Sequence, residues 1–156
     1  MLVWRCCHSS RVASAFTGAG AHASGGRWNS PGTSLVYCAE HPALAAMEML
    51  VHLNDVDALR EQYVLIPVEF DAALAATPAK PLLKNWDSDS ARLALRIIGD
   101  EWAASASPTP ILIVPSVLLP RCDNYLINPK HADFSKLQIG KPVPFAYDPR
   151  ITPSKS

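Results

Sequence analysis

Gly25-Gly26-Arg27-Trp28-Asn29-Ser30-Pro31-Gly32 runs through Thr33-Ser34 into Leu35-Val36-Tyr37-Cys38-Ala39-Glu40, and then into Pro42-Ala43-Leu44-Ala45-Ala46-Met47-Glu48. The first block is a loop whose paired glycines take positive φ and let backbone come close to a ligand. The second, Leu35–Ala39, is β-branched and aromatic and reads as a strand. The third opens with a proline, which fits the first position of a helix because its missing N–H is not needed there. Each element carries a side chain suited to ligand chemistry. Arg27 can grip a phosphate with two parallel N–H bonds, and Trp28 and Tyr37 can stack on a base or sugar. Glu48 can stabilise a developing positive charge. Loop, strand and helix together read as a nucleotide site that does chemistry.

Outward from this segment, strands and helices mix without regular βαβ alternation. Leu2–Arg5 is a short strand, Ser9–Phe16 is ambiguous with room for a turn of helix, and Thr17–Gly26 is a small, glycine-rich loop. Arg27–Asn29 starts a strand and Pro31-Gly32 turns the chain. The helix from Pro42 runs to about Asn54. Its apolar face is Ala43, Ala46, Met47, Leu50 and Leu53, with His41, Ala45, Glu48, His52 and Asp55 on the opposite stripe. Tyr63–Phe70 is a strand, and Asp71–Asp87 a long connection with room for a helical turn. Ser88 or Asp89 caps a second helix to about Ala104, with Leu93, Ile97, Ile98 and Trp102 as core candidates. Ile111–Val114 is fully apolar and reads as a central strand. Tyr125–Asn128 is a further strand, and Val143–Tyr147 an edge. This pattern predicts an α+β domain built on a mixed sheet with flanking helices.

The 156 residues fit one domain, with a core at about 4–147 and an irregular proline-bearing tail at 148–156. Hydrophobic residues make up 49%, which argues against disorder. Formal net charge is zero, so bulk charge advertises no nucleic-acid partner, and any phosphate must be met by a few placed cations. No run approaches the ~20 apolar residues of a membrane span, and the N-terminus has no signal-peptide pattern. Cys6, Cys7, Cys38 and Cys122 show no C-x-x-C spacing and read as reduced packing residues of a cytoplasmic protein. His8, His22, His41, His52 and His131 show no ligand spacing, so no metal site is expected. G-x-S-x-G, Walker A and G-x-G-x-x-G signatures are absent.

Each candidate also has a plainer reading. Arg5 and Arg27 are also surface arginines, and Tyr37 also a core aromatic with its hydroxyl at a sheet edge. Glu48 lies either on a solvated helix face or toward a cleft beside Arg27, and periodicity does not decide. Ser116 follows Val114-Pro115 at a strand end, where ligand contacts and turn serines both occur. Asn128, before Pro129, reads by itself as a turn residue.

Taken together, these segments resemble the RES domain, the toxin of bacterial RES–Xre toxin–antitoxin pairs. The matching stretches are Trp4-Arg5, Gly25–Gly32, Val36-Tyr37-Cys38-Ala39-Glu40, Met47-Glu48, Val114-Pro115-Ser116 and Leu126-Ile127-Asn128-Pro129. Two departures are small: Cys38 stands where a small hydroxyl residue is common, and Met47 where leucine is common. The resemblance implies a fold similar to ADP-ribosyltransferases and an enzyme that cleaves NAD⁺ and stops growth, with NAD⁺ as substrate and no separate cofactor. It also implies an Xre-family antitoxin that covers the cleft, and self-association as a homodimer within a larger complex. By position it makes Arg27, Glu48 and Tyr37 catalytic, and assigns substrate binding to Arg5, Arg27, Trp28, Tyr37, Ser116 and Asn128. In that scheme Arg27 and Arg5 grip the pyrophosphate and Tyr37 stacks on nicotinamide or ribose. Ser116 bonds nicotinamide or its ribose, and Glu48 lies within bonding reach of both guanidiniums. Two alternatives stay open: a mono-ADP-ribosyltransferase with a protein acceptor, and a catalytically silent antitoxin-binding module.

Overall fold

The computed structural model describes residues 1–53, 58, 61–104 and 107–151. Its strands are β1 (Leu2–His8), β2 (Val36–Ala39), β3 (Tyr63–Glu69), β4 (Ala75–Ala76), β5 (Ile111–Pro115), β6 (Asp123–Ile127), β7 (Gln138–Ile139) and β8 (Val143–Phe145). Its α-helices are α1 (Ala19–Ser24), α2 (Pro42–Leu50) and α3 (Arg92–Ala104), the last preceded by a 3₁₀ turn at Asp89–Ala91. The strands form one sheet in the order β4-β5-β6-β2-β1-β3-β7, with β8 also pairing with β3. All pairs are antiparallel except β4 with β5, so the sheet is mixed, as expected.

Pairing is uneven across the sheet. β1 meets β3 along all seven residues, from Leu2 opposite Glu69 to His8 opposite Tyr63. β2 meets β6 over four, and β6 meets β5 over five. Between β1 and β2 only one pair is in register, Trp4 opposite Ala39. The sheet is therefore two well-knit halves that part at its middle.

Both faces are covered. On one, Val3, Val36, Cys38, Val68, Ile111, Tyr125 and Ile127 pack with Phe70 and Leu137. On the other, α2 seats Leu44, Ala45 and Ala46 against Cys6, Ala39, Tyr63 and Tyr147. Beside it, α3 places Leu95 against Leu112, Val114 and Leu126, with Trp28 and Leu35. Alternate β5 residues serve opposite faces, which is why this strand is apolar throughout.

Several sequence expectations change here. Thr17–Gly26 contains the short helix α1, and Arg27–Asn29 is a loop rather than the start of a strand. The α2 helix ends at Leu50, with Val51 and His52 in a turn, and Asn54 and Asp55 lie outside the described residues. Its buried face is Leu44, Ala45 and Ala46, while Ala43 and Met47 are exposed. The larger shift is in α3: Leu93 and Ile97 are 70% and 49% exposed, while Leu95 is 0% exposed and Gly99 is buried. The reason is steric. A Cβ on Gly99 would collide with the Trp28 carbonyl, so the helix rests its glycine on that backbone, with Leu95 turned inward and Leu93 and Ile97 outward. Ile98 and Trp102 keep their expected contacts with the core. In the tail, residues 149–151 form a 3₁₀ turn and 152–156 lie outside the described residues. No helix among the described residues is long and apolar enough to cross a membrane.

Gly99→Ala is expected to destabilise the protein by about 1–3 kcal/mol through overpacking against Trp28. Ile97→Ser is expected to change stability by less than about 0.5 kcal/mol, as for an exposed site. Urea denaturation midpoints of the two variants, compared with wild type, check this orientation of α3.

Candidate active site

Where β1 and β2 part, a cleft of about 760 Å³ opens between α2 and α3. That size lies within the range of small-molecule sites. Arg5 sits at the parting, and its Nη1 donates to the Tyr37 carbonyl at 3.0 Å, a bond of the kind a full β1–β2 ladder would have made. The guanidinium thus closes the gap in the backbone bonding and puts a fixed cation into the cleft wall.

The Gly25–Gly32 loop forms a second wall. Asn29, 0% exposed, organises it: Nδ2 shares its protons among the carbonyls of Ala21, Ser30 and Thr33 at 2.9, 3.1 and 3.0 Å. Its Oδ1 accepts the Tyr37 hydroxyl at 2.7 Å, and that same hydroxyl accepts the Trp28 N–H at 3.2 Å. Gly26 has to be glycine because a Cβ there would lie 2.5 Å from the Tyr37 hydroxyl. Burial pushes the Tyr37 phenol well above its ordinary range, so it works as a neutral donor and acceptor.

Among the described residues, four guanidiniums line this space: Arg5, Arg27, Arg92 and Arg96. Arg27 Nη1 donates to the carbonyls of Asp87 and Ser88 at 3.3 and 3.5 Å, and its Nη2 lies 3.8 Å from Asp89 Oδ1. Arg92 Nε donates to the same Asp89 oxygen at 2.9 Å, and Arg96 Nε to the Gly26 carbonyl at 2.9 Å. Asp100, one turn beyond Arg96 on α3, accepts the Ser30 N–H at 3.0 and 3.3 Å. Burial alone would raise the Asp100 carboxyl. Hydrogen bonds from Ser30 and Thr33 and the Arg96 charge outweigh it and hold the group below its ordinary 3.8.

Glu48 is the one carboxylate among the described residues that line the cleft. Its Oε1 accepts Ser116 Oγ–H at 3.0 Å and Asn124 Nδ2–H at 2.6 Å. Among the described residues it makes no ion pair with Arg5 or Arg27, which corrects the expected direct contact: neutral donors hold it, and the cations stand elsewhere on the same walls.

Of the residues expected at the site, Arg5, Arg27, Trp28, Tyr37 and Glu48 all border the cleft. Trp28 does so as packed wall: it is 2% exposed, so its ring faces are closed to stacking. Ser116 lies behind Glu48 and bonds it. Asn128 is not brought there; it is buried, with Nδ2 on the Ala103 carbonyl and Oδ1 on the Lys130 N–H, fastening the end of β6 to α3. Sequence reasoning missed Arg92, Arg96 and Asn124. The i, i+4 spacing of the two arginines was the available signal for a shared helix face. Asn124 lies two residues from Leu126, on the same strand face, but only the fold reveals its partner.

The thiol, imidazole and carboxylate of Cys122, His41 and Glu40 offer ligand atoms within 4.8 Å of one another, a grouping the spacing did not reveal. Their bonds explain it without an ion. His41 Nδ1 accepts the Leu44 N–H and caps α2, which leaves the ring proton on Nε2 and no free lone pair for a metal. Glu40 Oε2 accepts the Asp123 N–H and ties β2 to β6.

Comparison with known proteins gives the family and the fold. The chain matches the RES domain over residues 2–148. It is 38% identical to "Toxin Res" of Yersinia enterocolitica over 97% of this chain and 99% of that one. It is 39% identical to a "Prs ADP-ribosylating toxin" of a Sphingobium species, over 95% and 94% of the two chains. Its fold superimposes with a TM-score of 0.73, at 18% identity, on a chain of the M. tuberculosis MbcT–MbcA toxin–antitoxin complex, covering 96% of this chain and 85% of that one. The chain belongs to the RES domain family, and by class it is a toxin.

The Asp100 bonds to Ser30 give a pH-dependent prediction. A depressed carboxylate contributes stability above its unfolded value and loses it as pH falls through its lower folded value. Asp100→Asn is expected to cost about 1–2 kcal/mol at pH 6. The gap from wild type should close as the pH falls below 3.8. Thermal melts across that range measure it.

Proposed function

We propose that this toxin cleaves NAD⁺ at the bond between the nicotinamide nitrogen and ribose carbon one. The observation that carries the reading is that, among the described residues, Glu48 is the single carboxylate lining a cleft with four guanidiniums, and neutral donors hold it. Glycoside hydrolysis ordinarily needs two carboxylates, because an alcohol leaves and must be protonated. Nicotinamide is cationic on NAD⁺ and leaves neutral: the bonding pair moves to the ring nitrogen and quenches its charge. No acid is required. Positive charge grows on the ribose instead, and Glu48 stabilises it and orients a ribose hydroxyl or the nucleophile.

Arg27 and Arg5 grip the diphosphate, and Arg96 and Arg92 extend that positive wall. Tyr37 presents its ring to the nicotinamide–ribose end, while its hydroxyl keeps the loop in place. Ser116 acts through Glu48. The acceptor is water or phosphate, NAD⁺ is consumed as substrate, and no separate cofactor takes part. The partner is an Xre-family antitoxin that covers the cleft, with the toxin a homodimer within the larger complex, acting in the cytoplasm. A second reading is favoured by the name of the Sphingobium relative: transfer of ADP-ribose to a protein side chain from the same cleft.

Labelled NAD⁺ separates the readings. Free ADP-ribose or its phosphorylated form supports cleavage, label on protein supports transfer, and intact NAD⁺ overturns both. Glu48→Gln, which keeps shape and removes charge, is expected to lose at least ~3 kcal/mol of transition-state stabilisation with an unchanged melting temperature. Arg27→Lys is expected to lower kcat/KM, because an ammonium lacks the bidentate grip. Wild-type kinetics in both variants would remove the assigned roles.

A further inference from the structure

Two donors converge on one oxygen of Glu48, and each has little freedom to do otherwise. Ser116 Oγ accepts the N–H groups of Leu118 and Leu119 at 3.1 and 3.3 Å, so its single proton is left for Glu48 Oε1. Asn124 is 8% exposed, and its backbone is held in the sheet between Ala39 on one side and Val114 on the other. An ionised carboxylate only accepts hydrogen bonds, so the face that Asn124 turns to it is its N–H₂ group, at 2.6 Å. Glu48 Oε2 has no partner among the described residues. The carboxylate is therefore anchored through one oxygen and open at the other.

We propose that Asn124 is a positioning residue for the reaction: with Ser116 it clamps Glu48 Oε1 and so turns Oε2 to the substrate. The inference rests on the reading of Glu48 as the catalytic carboxylate. Its physical logic lies in the neutrality of the donors. A cation at 2.6 Å would orient Glu48 but also oppose the charge that must meet the ribose. An amide and a hydroxyl orient it and leave that charge in force.

The alternative is that Asn124 merely fills space in β6, and an isosteric substitution separates the two. In Asn124→Asp, a carboxyl faces Glu48 at about the same distance, and two carboxylates that close hold one proton between them. While they hold it, an O–H at position 124 replaces the amide N–H. As the pH rises the pair loses that proton, the donor disappears and the two charges repel. Asn124→Asp is therefore expected to regain kcat as the pH is lowered from about 8 to about 5, where wild type shows no such gain. Asn124→Ala has no donor at any pH. Its kcat is expected to fall at least about tenfold, the size of one hydrogen bond to a charged group. Its KM for NAD⁺ should stay within about threefold of wild type, since the loss lies in the chemical step.

Glu48→Gln is assayed alongside. If it cleaves NAD⁺ like wild type, the functional reading itself fails. If Glu48→Gln is inactive while Asn124→Ala keeps wild-type kcat, or while Asn124→Asp follows the wild-type pH profile, the positioning role alone is overturned. The reversible recovery of Asn124→Asp with pH, in one sample, also reports that the variant is folded.

Discussion

The structure depends on the parting of β1 from β2. β1 is fully bonded to β3 on one side and touches β2 in register only at Trp4 and Ala39 on the other. A full ladder there would leave no cleft. A gap with nothing in it would leave backbone carbonyls inside the fold without donors, at a cost of about 1–3 kcal/mol each. The Arg5 guanidinium resolves this by donating to the Tyr37 carbonyl. One side chain both lets the sheet open and charges the opening, so fold and site share a cause.

The same economy holds for the charges. The chain is neutral overall, yet among the described residues that line its cleft are four guanidiniums and one carboxylate. Carbonyls of the Gly26 and Asp87–Ser88 loops and the Tyr37 carbonyl tie down three of the cations. Neutral donors hold the carboxylate. The field is thus local and preorganised, and the acids near the arginines, Asp89 and Asp100, do not line the cleft. On the proposed reading, such an arrangement meets an anionic dinucleotide that develops positive charge at one carbon. The Tyr37–Asn29–Trp28 bonds make the loop rigid enough to keep Arg27 where that field needs it.

Much was legible because it was local. The β-branched runs marked β2, β3 and β5, and Pro42 marked the start of α2. The Gly-Gly-Arg-Trp-Asn block reads as backbone at positive φ approaching a ligand, but only Gly25 of the pair takes a positive φ, and Gly26 lies against the protein's own Tyr37 hydroxyl. The rotations of α2 and α3 were not legible. Leu93 and Ile97 carry the hydrophobicity that periodicity weighs, but Gly99 meets the Trp28 backbone and turns them outward. Asn128 and Trp28 look like ligand contacts in the one-dimensional motif. The packed sheet instead gives Asn128 to Ala103 and encloses the indole among Leu95, Leu112 and Leu126.

The sequence by itself determined the main strands and helices, though not α1 or the short strands β4 and β7, together with the mixed α+β class and the side chains of Arg5, Arg27, Tyr37 and Glu48 at the site. These follow from short-range periodicity, backbone preference and side-chain chemistry. Only the tertiary structure decided what each side chain meets. Glu48 stands beside Ser116 and Asn124, 68 and 76 positions away, because α2, β6 and the end of β5 carry them to one wall. Arg92 and Arg96 join Arg5 and Arg27 because a glycine sets the roll of α3. Contacts across such separations depend on strand order and on where the sheet parts, which no local stretch encodes.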